Sequence, residues 1–289
     1  MDYLWHIVVM ICLYAILAMS LNLVVGYTGL LSLCHAAFYG IGAYTASLLM
    51  VTAHWSFLPA LGVSMGLVAL LSLLVGVPSL RLKGDYFVLA TLGFQVIVFS
   101  LLYNCTSLTR GPYGITDVPG PIVLGWRVDT PVRYALFTVV AAILCGVLLR
   151  GLVLSPFGRV LMAIREDETA TAALGKNTFV LKLIAFALGA ALAAAAGCMF
   201  ASYAHFIDPT SFGTLESVFI LSVLVAGGAG SLYGPVTGAV LLVVLPEALR
   251  FLPLSDAVAA NMRQILYGLL LILLMRLRPQ GILGQYRFD

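Results

Sequence analysis

The charged residues that could take part in chemistry are concentrated in one loop of the chain. Residues 156–182 read PFGRVLMAIREDETATAALGKNTFVLK and hold four of the fifteen basic residues and three of the twelve acidic ones. The run Glu166, Asp167 and Glu168 suits the first turn of a helix, where carboxylates favour the positive end of the helix dipole, and Gly175 suits the helix end. The sequence therefore predicts a short amphipathic helix, either a solvated element of this charged loop or a docking element for a protein partner.

Sequence motifs of enzymes are absent from the chain. It contains no GxxxxGK[ST], HExxH or GxSxG motif, and no close pair of carboxylates in an apolar segment. The five cysteines have no CxxC spacing, which argues against a metal site or a disulfide framework. The basic residues are scattered, so a nucleic-acid partner is not indicated. We expect a protein without catalytic residues, metal or a cofactor bound by this chain.

The amino-acid composition indicates what kind of structural elements must position the charged loop. The chain has 289 residues, of which 62% are hydrophobic and 9% charged, so a lipid bilayer must be the solvent for most of it. Eight or nine helices of about 20 residues each would use roughly 160 to 180 residues and leave only loops. We therefore predict one all-α, polytopic membrane domain over residues 1–289, with about 8–9 transmembrane helices.

Apolar segments punctuated by Gly, Pro and charged residues give the expected spans. They are residues 4–25, 33–51, 58–77, 86–102, 132–149, 179–203, 215–226, 236–249 and 265–275. We expect Pro78 to end the third segment, because proline cannot continue the helical hydrogen bonds. The stretch AGGAGSLYGPVTGA at residues 226–239 is too rich in Gly and Pro for a plain helix, and predicts broken or re-entrant elements.

The basic residues indicate an orientation in the membrane. With nine crossings, ten of the fifteen basic residues fall in loops on one side, including those of the charged loop. The positive-inside rule makes this side cytoplasmic. The N-terminus is then external and the C-terminus cytoplasmic.

Small residues at four-residue spacing predict close helix packing. Such spacing lets helix backbones approach each other in lipid. The sets are Gly189, Ala193, Gly197 and Ala201; Gly230, Gly234 and Gly238; and Gly62 with Gly66.

Several blocks of sequence carry a resemblance to a known family. The charged loop resembles the coupling region of permease subunits of branched-chain amino-acid ABC importers, the LivM-like group. Further blocks resemble the family in family order: GYTGLLSLCHAAFYGIGAY, RLKGDYFVLATLGF, LTRGPYGI, VLVAGGAGSLYGPVTGA, LPEALR and YGLLLILLMRLRPQGILG. Together they cover nearly the whole chain.

This resemblance implies a permease in the bacterial inner membrane with several partners. They are a second, related permease subunit, two cytoplasmic ATPases that bind ATP and Mg²⁺, and an external solute-binding protein. The family's coupling helix maps onto residues 159–176. The residues expected to couple to the ATPases are Arg159, Arg165, Glu166, Asp167, Glu168, Gly175 and Lys176.

Hydroxyls and unpaired backbone groups at helix breaks can replace water around a small zwitterion, so they are candidates for a translocation path. On a first broken element these are Asn22, Tyr27, Thr28, Ser32 and His35, and on a second Gly227, Gly228, Gly230 and Ser231. For His35 a hydrogen-bonded packing role is the alternative.

The substrate stays open at the level of sequence. Cys34, Gln95 and Phe99 depart from the residues usual in the family, and related permeases carry urea, short amides or other small polar solutes instead of branched-chain amino acids. An ion-coupled secondary transporter is a further alternative. It is disfavoured because few ionisable residues, His35, Glu216 and Glu247, lie in apolar segments.

Overall fold

The part of the chain that the structure describes is almost entirely helical, as the sequence predicts. This computed structural model describes residues 2–82, 84–123, 126–249, 268 and 281–284. Its α-helices are α1 (Asp2–Thr28), α2 (His35–Val51), α3 (Phe57–Ser79), α4 (Asp85–Asn104), α5 (Thr106–Thr109), α6 (Pro131–Leu154), α7 (Pro156–Glu166), α8 (Glu168–Ala173), α9 (Thr178–Ala204), α10 (Thr214–Gly227) and α11 (Gly234–Leu249).

Four two-residue strands and two 3₁₀ turns complete the described elements. Strand β1 (Ile115–Thr116) pairs antiparallel with β4 (Phe206–Ile207). Strand β2 (Ile122–Val123) pairs antiparallel with β3 (Trp126–Arg127). The 3₁₀ turns are Gly111–Tyr113 and Pro209–Phe212.

The helices agree with a polytopic membrane protein. Five of them, α1, α3, α4, α6 and α9, are long and apolar enough to cross a membrane. Eight of the nine predicted apolar segments coincide with α1 to α4, α6 and α9 to α11, within a few residues at each end. The ninth predicted segment, residues 265–275, lies outside the described residues. Helix α3 ends at Ser79, one residue beyond the predicted stop at Pro78.

Helix α9 packs closely against α1 and α2. A Cβ atom on Gly197 would overlap the Tyr39 carbonyl, and one on Gly189 would lie 3.0 Å from the Ser20 carbonyl oxygen. The spacing of small residues in α9 therefore serves close backbone contact, as predicted. Gly62 differs, because no neighbouring atom of the described chain lies within 4 Å of its Cβ position.

The outer faces of α3, α4 and α6 carry exposed apolar side chains. Leu74 on α3 is 71% exposed and Ile143 on α6 is 61% exposed. Exposed leucine and isoleucine at this density are typical of a surface that faces lipid. The buried polar groups described next lie on the inner faces.

Candidate functional site

The first helix break lies between α1 and α2, at residues 29–34. Asn22, Tyr27 and Thr28, which the sequence assigned to a broken element, instead lie on the last two turns of an unbroken α1. The local cause is the position of the glycine that ends the helix: Gly29, with a φ of 74°, stops α1, whereas the helix continues through Gly26. Of the nominated residues, only Ser32 lies within the non-helical segment, and His35 begins α2.

His35 is held inside the helix bundle. Its Nε2 atom lies 2.7 Å from the Ser20 hydroxyl, and the side chain is buried. Ser20 lies two turns before the end of α1. The first residue of α2 is therefore beside the middle of α1's second half and not beside its last turn. Ser32 is also buried, with its hydroxyl 3.3 Å from the Cys34 sulfur. Both side chains therefore make interior contacts.

Side chains from two other helices accept hydrogen bonds from backbone amides in the first turn of α2. The Ala37 amide donates to Gln95 Oε1 at 2.7 Å, and the Ala36 amide donates to the Ser217 hydroxyl at 2.9 Å. Gln95 Nε2 donates in turn to the Phe212 carbonyl at 2.8 Å. Sequence reasoning named Gln95 only as a departure from the family. A lone glutamine in an apolar span was nevertheless a signal, because a buried amide requires partners.

The second helix break lies between α10 and α11, at residues 228–233. Gly227 at the end of α10 lies against Gly234 and Gly238 of α11, and Gly238 also lies against the Val223 carbonyl. Late residues of α10 therefore meet early residues of α11, so the two helices run antiparallel. The predicted broken element is a tight helical hairpin, and we call residues 227–231 the junction.

Asn22 joins the end of α1 to the junction. The Gly230 amide donates to Asn22 Oδ1 at 2.9 Å, and Asn22 Nδ2 donates to the Ser231 carbonyl at 2.7 Å. A side chain on Gly26 would overlap both Asn22 Oδ1 and the Gly230 amide nitrogen. The last two turns of α1 are thus brought into contact with the second break.

A small, mostly apolar pocket lies beside this contact. Asn22 and Tyr27 are its polar lining residues, and both are among the residues nominated for the path. The remaining lining residues are Met19, Leu23, Leu149, Val153 and Leu232.

Residues 281–284 complete the junction. The amides of Ile282 and Leu283 donate to the carbonyls of Ala226 and Gly227, at 3.1 and 2.9 Å. The last carbonyls of a helix have no partner within it, so this segment supplies what the end of α10 lacks. The predicted site did not include these residues, which are far from the junction in sequence.

The charged loop forms two helices, α7 and α8. The short helix predicted from the acidic run to Gly175 corresponds to α8, whereas the coupling helix mapped onto residues 159–176 is not continuous, because it is interrupted at Asp167. Asp167 separates them, because its Oδ1 accepts a hydrogen bond from the Ala170 amide at 2.9 Å and caps α8. An aspartate that bonds to the backbone two or three residues ahead begins a new helix. Glu166 is the last residue of α7 and Glu168 the first of α8. Gly175 follows α8 with a φ of 79°, a conformation that favours glycine.

The residues of the charged loop divide into exposed and anchored groups. The Arg165 side chain is only 11% exposed, and its Nη1 donates to the Gly26 carbonyl of α1 at 2.7 Å. Glu168 forms an ion pair with Lys182 of α9 at 2.5 Å. Glu168 is nevertheless exposed, and the other exposed members are Arg159, Glu166, Asp167, Gly175 and Lys176. Leu174, which the sequence-based prediction missed, is 81% exposed among them.

Ionisable side chains are not clustered as metal ligands in the described part of the chain. No group of three or more His, Cys, Asp or Glu side chains there could hold a metal ion. Glu216 lies in the first turn of α10, and the side chain of Glu247 falls outside the described residues. The site consists of backbone groups at helix ends, with hydroxyl, amide and guanidinium partners.

The amino-acid sequence was compared with those of known protein families. The profile described as "Branched-chain amino acid transport system / permease component" matches residues 3–275. The chain belongs to this family. Its relatives are transport permeases, and the helices described above agree with a multi-pass membrane permease.

Individual relatives cover nearly the whole permease chain. The high-affinity branched-chain amino acid transport system permease protein LivM of Salmonella typhimurium is 38% identical over 97% of this chain and 70% of its own length. LivM of Escherichia coli is 38% identical over 95% of this chain and 68% of its own length. The permease protein LivH of Salmonella typhimurium is 28% identical over 94% of this chain and 91% of its own length. No solved structure matches the chain significantly.

Proposed function

We propose that this permease is the membrane subunit of an ATP-driven importer that moves branched-chain amino acids into the cytoplasm. The family match over residues 3–275 carries the proposal. The two LivM relatives and the LivH relative all bear the name of branched-chain amino acid transport. The chain itself hydrolyses no ATP in this proposal. Two partner ATPases bind ATP and Mg²⁺ and supply the energy.

The further partners are a second, related permease subunit and an external solute-binding protein. Support for pairing comes from the similarity of this chain to both LivM and LivH, which are distinct permease proteins of the same organism. In this proposal the bilayer surrounds the exposed faces of α3, α4 and α6, and the second subunit covers further apolar surface.

The proposed orientation puts the charged loop in the cytoplasm. Ten of the fifteen basic residues then lie on the cytoplasmic side, and the N-terminus is external and the C-terminus cytoplasmic. The exposed surface formed by Glu166, Asp167, Leu174 and Lys176 is then the face offered to an ATPase. Leu174 supplies an apolar contact, which suits the centre of a protein interface better than charged residues do.

The proposed path passes beside Asn22, Tyr27 and the junction. Support comes from the pocket that Asn22 and Tyr27 line and from the Gly-rich backbone next to it. Helix ends and non-helical backbone at membrane depth can replace the water around a zwitterion's charged groups. Movement of the hairpin away from α1 would open this pocket.

Transport in proteoliposomes tests the proposal. The chain is reconstituted with its second permease, both ATPases and the binding protein, and uptake of labelled leucine is measured with and without ATP. We expect leucine uptake to require ATP. Unlabelled valine should inhibit this uptake, and urea should not. Uptake that follows a proton or sodium gradient without ATP would contradict the proposal. Robust ATP hydrolysis by the purified chain alone would also contradict it.

A further inference from the structure

We propose that Arg165 is a positioning residue that transmits movement of the charged loop to the end of α1, and through it to the junction. The inference rests on the proposed function, because it requires ATPases that move the charged loop. It assigns Arg165 a different task from the ATPase contact that the family resemblance implies.

The first step is the direction of the Arg165 side chain. Arg165 lies on α7 in the charged loop, yet its side chain is only 11% exposed, whereas the neighbouring Glu166 side chain is 68% exposed. Arg165 Nη1 donates to the Gly26 carbonyl at 2.7 Å, across 139 positions of sequence. Its Nε and Nη2 atoms donate to the neighbouring Glu166 Oε1 at 3.2 and 2.7 Å. The guanidinium is therefore held by groups of this chain, and little of it is presented to a partner in solution.

The second step is what Arg165 satisfies. The Gly26 carbonyl is among the last four of α1, which ends at Thr28, and such carbonyls have no amide partner within the helix. A positive charge is also favoured at the negative end of a helix dipole. Arg165 therefore caps α1 from another element, and the two move together as long as this bond holds.

The third step is the packing of the arginine stem. Gly29, with a φ of 74°, passes close over Arg165, and a Cβ there would lie 3.1 Å from Arg165 Cγ. The chain thus leaves α1 through a left-handed glycine that lies directly on the arginine side chain. Arg165 holds both the last turn of α1 and the segment that leads away from it.

The fourth step connects this cap to the junction. Gly26, whose carbonyl binds Arg165, packs against Asn22 Oδ1 and the Gly230 amide, so closely that a Cβ atom on it would overlap both. Asn22 in turn bonds to Gly230 and Ser231. The contacts therefore run without interruption from α7 through the end of α1 to the hairpin of α10 and α11.

Two nearly isosteric variants test the proposal in the reconstituted importer. Arg165→Met keeps an unbranched apolar stem against Gly29 but can donate neither to the Gly26 carbonyl nor to Glu166. Arg165→Lys keeps a positive donor. Arg150, exposed at the end of α6, provides Arg150→Gln as a control that removes a basic residue from the same side. ATP hydrolysis and leucine uptake are measured in the same vesicles, with co-purification of the ATPases as a measure of assembly.

We expect Arg165→Met to assemble and to hydrolyse ATP, with uptake per ATP about tenfold lower, because the variant loses the charged hydrogen bond that ties α7 to the end of α1. Arg165→Lys should recover most of the wild-type ratio, and Arg150→Gln should keep it. Equal uptake per ATP in the Met and Lys variants would overturn the proposal.

Other results separate this inference from the proposed function. If Arg165→Met loses its ATPases or fails to assemble while Arg165→Lys assembles, Arg165 is a docking or folding residue and the proposal is wrong. If the wild-type importer shows no ATP-dependent uptake, the proposed function fails first and this inference fails with it. If the wild-type importer is active and the Arg165 variants do not behave as expected, only the role of Arg165 is wrong and the proposed function stands.

Discussion

Asn22 and Gly230 are hydrogen-bonded at 2.9 Å, although 208 positions separate them in the sequence. The same asparagine donates to the neighbouring Ser231 carbonyl. One side chain thus replaces two backbone partners at a turn where glycine and proline prevent a regular helix. Removal of a buried side-chain amide that both accepts and donates is costly, because the backbone groups that it satisfies are left buried without a hydrogen-bond partner.

Replacement of Asn22 by leucine, which has a similar shape, should destabilise the protein by about 1–3 kcal/mol through loss of both bonds. Thermal unfolding of the purified chain in detergent measures the change. Asn104→Leu is the matched control, since Asn104 is exposed and makes one bond within its own helix, to the Ser100 carbonyl. Equal stability losses in the two variants would show that the contact at the junction contributes nothing special.

Gly197→Ala should separate α9 from α2. The new methyl group would overlap the Tyr39 carbonyl and meet the Ala43 amide, and overpacking of this kind costs about 1–3 kcal/mol. Gly62→Ala meets no neighbour within 4 Å and should be neutral or slightly stabilising, because alanine favours a helix by about 1 kcal/mol over glycine. Unfolding temperatures of the two variants in the same detergent check this. A Gly62→Ala chain less stable than Gly197→Ala would contradict the packing described here.

Leu174→Glu should reduce binding of the partner ATPases without unfolding the permease. Leu174 is 81% exposed, so it stabilises the chain little, yet loss of an apolar contact at an interface centre can lower affinity by about tenfold or more. Co-purification of tagged chain with the ATPases is the measurement. Leu108→Glu is the control, because Leu108 is also exposed, at 58%, and lies in the short helix α5, in a connection expected on the opposite face. ATPase yields that fall equally in both variants would exclude Leu174 as a specific contact.

Much of the fold followed from the sequence because the spans are local features. Apolar runs bounded by Gly, Pro and charge predicted eight of the described helices, since backbone groups in lipid must be satisfied within each helix. The charged loop was less predictable. Asp167 can bond either as part of a continuous helix or as the cap of a new one, and only the three-dimensional structure decides between them.

The site was less accessible to sequence reasoning than the fold. The second broken element was recognised from its Gly and Pro content, but its contact with α1 through Asn22 has no local pattern. The family resemblance implies that Arg165 contacts an ATPase, and nothing local in the sequence indicates that its guanidinium lies 2.7 Å from the Gly26 carbonyl at the end of α1. Gln95 was seen as a substitution of unknown effect, since its partners lie on α2 and near Phe212.

Gln95→Met should destabilise the start of α2. The variant leaves the Ala37 amide without its side-chain acceptor and the Phe212 carbonyl without the donor it has in Gln95, and the expected loss is about 2–4 kcal/mol. Thermal unfolding measures it, and Val96→Met, at the adjacent position that is 48% exposed, is the control. A loss no greater than that of Val96→Met would contradict the role of Gln95.

A double-mutant cycle with Ser217 tests whether these groups act as one unit. Ser217 accepts from the Ala36 amide and donates to Gln95 at 3.1 Å, so Ser217→Ala and Gln95→Met each remove the bond between them. The stability effects of substitutions within one hydrogen-bond network are not additive, and the interaction energies are about 0.5–3 kcal/mol. The double variant should therefore lose less stability than the two single variants together. Strict additivity would mean that Gln95 and Ser217 support neighbouring amides of α2 independently, and that α2 has two separate caps rather than a shared one.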